Sequence, residues 1–339
     1  MIVSTKAAPA LIGDILRAGL VPMLHGSPGT AKSSISKQIA AAKKLMVIDL
    51  RLSQSDPTDL SGFPSINNTR TRAGYVPMDT FPIKGDTVPE GYNGWLILLD
   101  EINSAPLSVQ AAAYKLVLDR QVGQFDLHEQ VYMIAAGNLS TDNAIVNRLS
   151  TAMQSRLVHL HIELDPKDWM HWANTNGLDY RVISYIGFKP DILHKFDPNH
   201  NDFTFPCSRT WEFVSKIIKP WKEIPYDKGP VLDGAVGEGA AREFIGYCEI
   251  FQSLPTISEI INNPEKVDIS DEPSIQYALT GLISNNINST NFDSLMKCIV
   301  RLPIEFQVVC LQASFRRAPE IGTNPAWKAW SIKNAQALL

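Results

Sequence analysis

Gly26-Ser27-Pro28-Gly29-Thr30-Ala31-Lys32-Ser33 is the stretch on which the reading of this 339-residue chain turns. It lies between an apolar run of strand length, 20–24, and a segment with helical apolar spacing, 32–44. Glycines in such a turn let backbone N–H groups converge on phosphate oxygens, and the following helix adds its positive dipole end. Lys32 is placed to reach β- and γ-phosphates, and the Ser33 hydroxyl to ligate Mg²⁺. Gly26, Ser27, Pro28, Gly29, Thr30, Ala31, Lys32, Ser33 and Ser34 are therefore the expected ATP-binding set. Ala31 stands where the phosphate-loop pattern has its second glycine. The expectation is that the chain is already entering the helix there, with negative φ, so that alanine fits. The plainer reading of the stretch is a Gly/Pro turn capping a surface helix.

Outward from this loop, short apolar runs recur at 45–50, 95–99, 131–136 and 158–162, with helical patterns at 7–19, 106–119 and 143–155. Nearly all-apolar strands suit a parallel sheet covered on both faces, and the alternation predicts an α/β domain with five parallel strands and crossover helices. The run 95–99 ends in Asp100-Glu101. Such a strand delivers both carboxylates at its C-terminal edge, where open α/β sheets bind ligands. Asp100 is expected to hold Mg²⁺ through its water shell, and Glu101 to orient and deprotonate the attacking water. Asn138, just past the run 131–136, is expected as a sensor touching both γ-phosphate and water; a plain Gly-Asn turn is the alternative.

Between Ser53 and Gly94 the density of Pro and Gly breaks any long helix. A structureless loop of that length is improbable in a compact domain, so 54–93 reads as a functional insertion with short strands of its own. Beyond about residue 165 the sheet signals fade. Helical spacing returns at 208–219, 240–253, 274–287, 292–301, 304–316 and 325–338, with 220–240 reading as irregular. The expected domains are 1–165 and a mainly helical 166–339.

Composition narrows the function classes. A formal charge of −4 with 45% hydrophobic residues offers no global attraction to nucleic acid or anionic membrane. Cys207, Cys248, Cys298 and Cys310 form no C-x-x-C pair, which favours buried thiols. No run approaches a membrane span, and the first twenty residues lack a signal-peptide pattern, so a cytoplasmic protein is expected. His159-x-His161, and His194 with His200, lack metal-ligand spacing. The tryptophans read as core.

With phosphate loop, Asp-Glu strand and Asn sensor in this order, the chain resembles the AAA+ superfamily, and more closely the MoxR/RavA-like ATPases, whose phosphate loop also admits Ala before the Lys. The resemblance runs through residues 52–64 (LSQSDPTDLSGFP), 99–106 (LDEINSAP), 135–138 (AAGN) and 205–212 (FPCSRTWE). It implies an AAA+ P-loop domain with a helix-2 insert at 54–93, followed by a helical lid. Arg156, in the Gln154-Ser155-Arg156 stretch, resembles the arginine offered to the neighbouring subunit's nucleotide, with Arg148 as competitor. Arg209 resembles the second-domain arginine that reads the γ-phosphate. The family further implies ATP hydrolysis with Mg²⁺, a ring (a hexamer) and remodelling or assembly of a protein client, such as a protein with a von Willebrand factor A domain. The alternative is a nucleic-acid-directed AAA+ motor of the helicase-loader or restriction type, which the charge balance disfavours.

Overall fold

The computed structural model describes residues 2–142, 147–199 and 202–335, which divide into two compact units: 1–164 with 197–200, and 165–196 with 201–339. The first unit is built on six parallel strands: β1 (Ile2–Ser4), β2 (Val21–His25), β3 (Leu45–Arg51), β6 (Gly94–Asp100), β9 (Val131–Gly137) and β10 (Leu157–Glu163). Their order is β1-β10-β2-β9-β6-β3. Five of these are the expected runs. The sixth, β1, is a three-residue strand that pairs its Ile2 with His161, too short to carry a periodic signal of its own.

β6 explains the all-apolar strands. Trp95, Ile97 and Leu99 pack into the core on one face, while Leu96 and Leu98 pack into the core on the other. Successive side chains point to opposite faces, so a strand covered on both must be apolar throughout. On one side lie α1 (Ala8–Arg17), which buries Ile12 and Leu16, and α2 (Lys32–Lys43), which buries Ile35 and Ile39. On the other lie α4 (Leu107–Asp119) and the buried anchors of the insertion, Leu60 and Phe81.

The insertion contains α3 (Pro57–Ser61), opened by a capping box on Asp56, and an antiparallel hairpin of β4 (Phe63–Ile66) and β5 (Ala73–Val76). Gly62 links them at φ +85°, where a Cβ would lie 2.3 Å from the Val76 carbonyl oxygen. A second small hairpin, β7 (Gln121–Val122) with β8 (Phe125–Asp126), lies between α4 and β9 and was not expected. Its Gly123 abuts the β5 residue Tyr75, so the two hairpins lean on each other.

The helix expected over 143–155 is a correction. Residues 143–146 lie outside the described residues, 147–150 have no regular structure, and only α5 (Thr151–Gln154) is helical, capped by Ser150.

The second unit is helical. Two of its helices precede the segments read from periodicity: α6 (Pro166–Thr175) and α7 (Tyr180–Phe188), capped by Asp165 and Asp179. Then come α8 (Ser208–Ile218), α9 (Gly229–Val236), α10 (Glu238–Ser253), α11 (Ile257–Asn262), α12 (Pro273–Asn286), α13 (Phe292–Ile299), α14 (Ile304–Arg317) and α15 (Pro325–Lys333). The presence of α9 corrects the irregular reading of 220–240. Pro230 sits in its first turn, where a missing N–H costs nothing, and Gly237 at φ +85° ends it. All four cysteines are free and buried, and burial pushes the Cys310 thiol up to about 12. No helix of the described residues is long and apolar enough to cross a membrane.

Candidate nucleotide site

β2 delivers the loop 26–31 at its C-terminal end, and α2 begins at Lys32. Two left-handed residues curl the loop, Gly29 at φ +82° and Ala31 at φ +66°. This corrects the expectation for Ala31: the chain has not yet turned into the helix, and an L-residue occupies a conformation that glycine adopts freely. Gly26 is required by space, since a Cβ there would lie 2.6 Å from Thr30 Oγ1 and 3.0 Å from the Ile162 carbonyl. Buried Thr30 donates its hydroxyl to the Ser27 carbonyl at 2.8 Å and closes the turn. Ser34 lies exposed on α2, within 3.5 Å of Gln38 Nε2.

Lys32 is only 8% exposed. Its ammonium donates to the carbonyls of Gly26 (2.5 Å) and Ser27 (3.0 Å) and to Asn138 Oδ1 (3.3 Å). Ser33 Oγ donates to Asp100 Oδ2 at 2.6 Å. Residues 106 and 67 positions apart are joined because β9 lies between β2 and β6, so all three strand ends open on one edge. An all-oxygen pair of hydroxyl and carboxylate suits a hard cation such as Mg²⁺. Glu101 follows at φ +57°, its N–H bonded to Asp100 Oδ1 at 2.9 Å and its carboxylate accepting from Ser53 Oγ.

Five neighbours were given no role from the sequence. Ser53 follows β3 and meets the Glu101 carboxylate. Asn103 bonds the backbone of Asn138 through its side-chain amide. Asp142, 7% exposed, accepts from Ser27 Oγ at 3.0 Å and from Leu139 N–H at 3.2 Å, tying the loop 26–31 to the loop after β9. His25 Nε2 lies 2.8 Å from His159 Nδ1, and His159 Nε2 lies 2.9 Å from the Gln154 carbonyl. A carbonyl only accepts, so His159 carries its proton on Nε2 and His25 donates to Nδ1. Burial, then the neighbouring His159, His161 and Lys32, lowers the His25 pKa from 6.5 to about 4. Ser53 and Asn103 do lie inside the stretches 52–64 and 99–106 singled out in the sequence. Nothing local marks Asp142 or the histidine pair, which only strand pairing assembles.

Arg156 is exposed, donating to the Ala152 carbonyl at 2.8 Å and lying 5.5 Å from the centre of the Tyr114 ring. Arg148 is exposed as well. Arg209 belongs to the second unit, exposed on the first turn of α8. Among the described residues, no group of three His, Cys, Asp or Glu side chains could hold a metal ion by itself.

Residues 22–157, from β2 to the first residue of β10, match the family model of the AAA domain, dynein-related subfamily. Over that stretch the first unit is similar to an AAA domain. The parallel sheet with β9 between β2 and β6, its covering helices and the helical unit that follows fit an α/β AAA+ fold with a helical lid. No curated protein matches the chain. Among solved structures it is similar to a putative ATPase from Cytophaga hutchinsonii, at 15% identity and a TM-score of 0.34, covering 100% of this chain and 90% of that one. The AAA domain match rests on 22–157 alone and does not extend to the lid.

Proposed function

We propose that this chain is an ATP hydrolase of MoxR/RavA type, which works as a ring, a hexamer, and uses ATP turnover to remodel or assemble a protein client. The observation that carries the hydrolase reading is the convergence of Lys32, the Ser33–Asp100 pair, Glu101 and Asn138 at the ends of three neighbouring strands. Lys32, held close to the loop carbonyls, offsets β- and γ-phosphate charge. Ser33 and Asp100 would hold Mg²⁺, which would neutralise charge on the phosphate oxygens. Glu101 takes the proton of the attacking water, a contribution of typically ~10²–10⁴-fold. Asn138 orients that water and reads the γ-phosphate. Arg156 serves the neighbouring subunit's site and Arg209 its own.

The client reading is supported by the sequence resemblance in residues 52–64, 99–106 and 205–212 and by the exposed apolar side chains of the insertion hairpin, Phe63, Ile66, Tyr75 and Val76. A protein with a von Willebrand factor A domain is the partner of choice under this reading. One observation leaves room for a nucleic-acid-directed motor, since it suits an acidic protein client and a phosphate backbone equally. Arg70 and Arg72, both exposed, are the only charged residues between Asp59 and Asp79.

Calorimetry tests the site. Lys32→Ala should lose ATP binding, because the phosphate charge is left uncompensated. Glu101→Gln should bind ATP without turning it over, since the amide can still contact water but cannot take its proton. Equal ATP affinity in wild type and Lys32→Ala would overturn the assignment.

A further inference from the structure

Asn138 lies one residue past the end of the sheet ladder. The β2 pairing stops at Gly137 and the β6 pairing at Ala135. Neither neighbouring strand therefore holds the backbone of Asn138, although its side chain must be aimed if it is to read a phosphate. The Asn103 side chain takes over that task. Its Nδ2 donates to the Asn138 carbonyl at 2.7 Å, and its Oδ1 accepts from the Asn138 N–H at 3.1 Å. One residue's N–H and C=O are thereby both engaged by one amide, the double bond pattern that a partner strand supplies.

We propose that Asn103 is the positioning residue of the Asn138 sensor, fixing its backbone so that the sensor amide and the Glu101 carboxylate move as one body. This rests on the reading of Asn138 given above. Three observations join to carry it. Asn103 is 6% exposed, so solvent does not compete for the two bonds. Asn103 stands in the single turn Ile102–Ser104, two residues after Glu101, with Ile102 and Ala105 fully buried beside it. The space was also cleared for it: a Cβ on Gly137 would lie 2.3 Å from Asn103 Oδ1. Residue 137 is thus a glycine at negative φ, needed for close approach rather than for its backbone angle. The same turn anchors the loop beyond the sensor, through Asn147 N–H to the Asn103 carbonyl at 2.6 Å. Asparagine alone among side chains of this length offers a donor and an acceptor together. Aspartate retains only the acceptor, and alanine neither.

The test is a double-mutant cycle on the full chain with Asn103→Ala and Asn138→Ala, reading kcat, KM and the affinity for a non-hydrolysable ATP analogue. Should Asn103→Ala fail to fold, Asn103→Asp replaces it, keeping one of the two bonds. The expected result is a kcat lowered by roughly 10–10²-fold with KM and analogue affinity little changed, as for a misaimed catalytic group. In the Asn138→Ala background the same substitution should change kcat by no more than about twofold, since the group it positions is gone. Gly137→Ala should harm turnover in the wild type and less so once Asn103 is alanine. Equal losses from Asn103→Ala in both backgrounds would overturn the proposal and leave the sensor reading standing. An Asn138→Ala variant with wild-type kcat would overturn the sensor reading, and this proposal with it.

Discussion

Replacing Ala31 by glycine should stabilise the protein, against the usual effect of that substitution. At φ 66° and ψ 16°, Ala31 lies in the left-handed region at the cap of α2. That conformation costs an L-residue about 1–2 kcal/mol. Glycine removes the cost but enlarges the unfolded ensemble by about 0.4–1 kcal/mol. The difference is roughly 0–1.6 kcal/mol in favour of Ala31→Gly, with a midpoint near ~0.8. For a unit of this size about 1 kcal/mol corresponds to ~2–4 °C, so Tm should rise by roughly 2–3 °C. Had Ala31 begun the helix with negative φ, glycine would instead cost roughly 0.5–1 kcal/mol and Tm would fall by a similar amount. The two geometries predict opposite signs. Calorimetric melting of the full chain without nucleotide reads the sign directly, and ATP affinity measured in parallel should stay within a few-fold. A lowered Tm would refute the left-handed loop and the reasoning built on it.

Three further outcomes can be checked. Mixing Arg156→Ala with Lys32→Ala subunits should recover part of the ATPase activity that each lacks alone, because the first supplies an intact nucleotide site and the second an intact arginine; no recovery in demonstrably mixed rings would point to Arg148. His25 has its pKa held at about 4 in the fold against 6.5 when unfolded, so the unfolded chain binds the extra proton between those values. Stability should therefore fall as pH drops from about 6.5 towards 4, and His25→Gln should flatten that part of the Tm–pH curve. For the hairpin, Phe63→Ala with Tyr75→Ala should leave basal ATPase within a few-fold and abolish capture of a protein client by the Glu101→Gln trap. Arg70→Ala with Arg72→Ala should weaken DNA binding, by an amount that shrinks as salt rises, if the client is nucleic acid.

The strand runs and the tight loop 26–31 between strand and helix were legible in the sequence because both are local. A strand buried on two faces has to be apolar at every position, as 95–99 is, and so tight a loop needs glycine where space or a positive φ demands it, as at Gly26 and Gly29. The Asp100-Glu101 pair and Asn138 could be read as well, since each ends such a run. Helices were legible where periodicity was long. They were lost where proline and glycine served as punctuation, as at Pro230 and Gly237 around α9, or where a cap such as Asp165 opened a helix that no long apolar pattern announced.

Tertiary structure alone decided the rest. The order β2-β9-β6 brings Ser33 to Asp100 and Lys32 to Asn138 across 67 and 106 residues, and no periodicity encodes which strands become neighbours. Ser53 at Glu101, Asp142 at Ser27, His25 at His159 and Asn103 at Asn138 are side-chain meetings of the same kind. Each rests on hydrogen bonds that exist only once the sheet has brought distant segments together. The backbone of Ala31 makes the point in a single residue. Its side chain says helix, but its φ is set by the loop it must close, and only the folded loop reveals it.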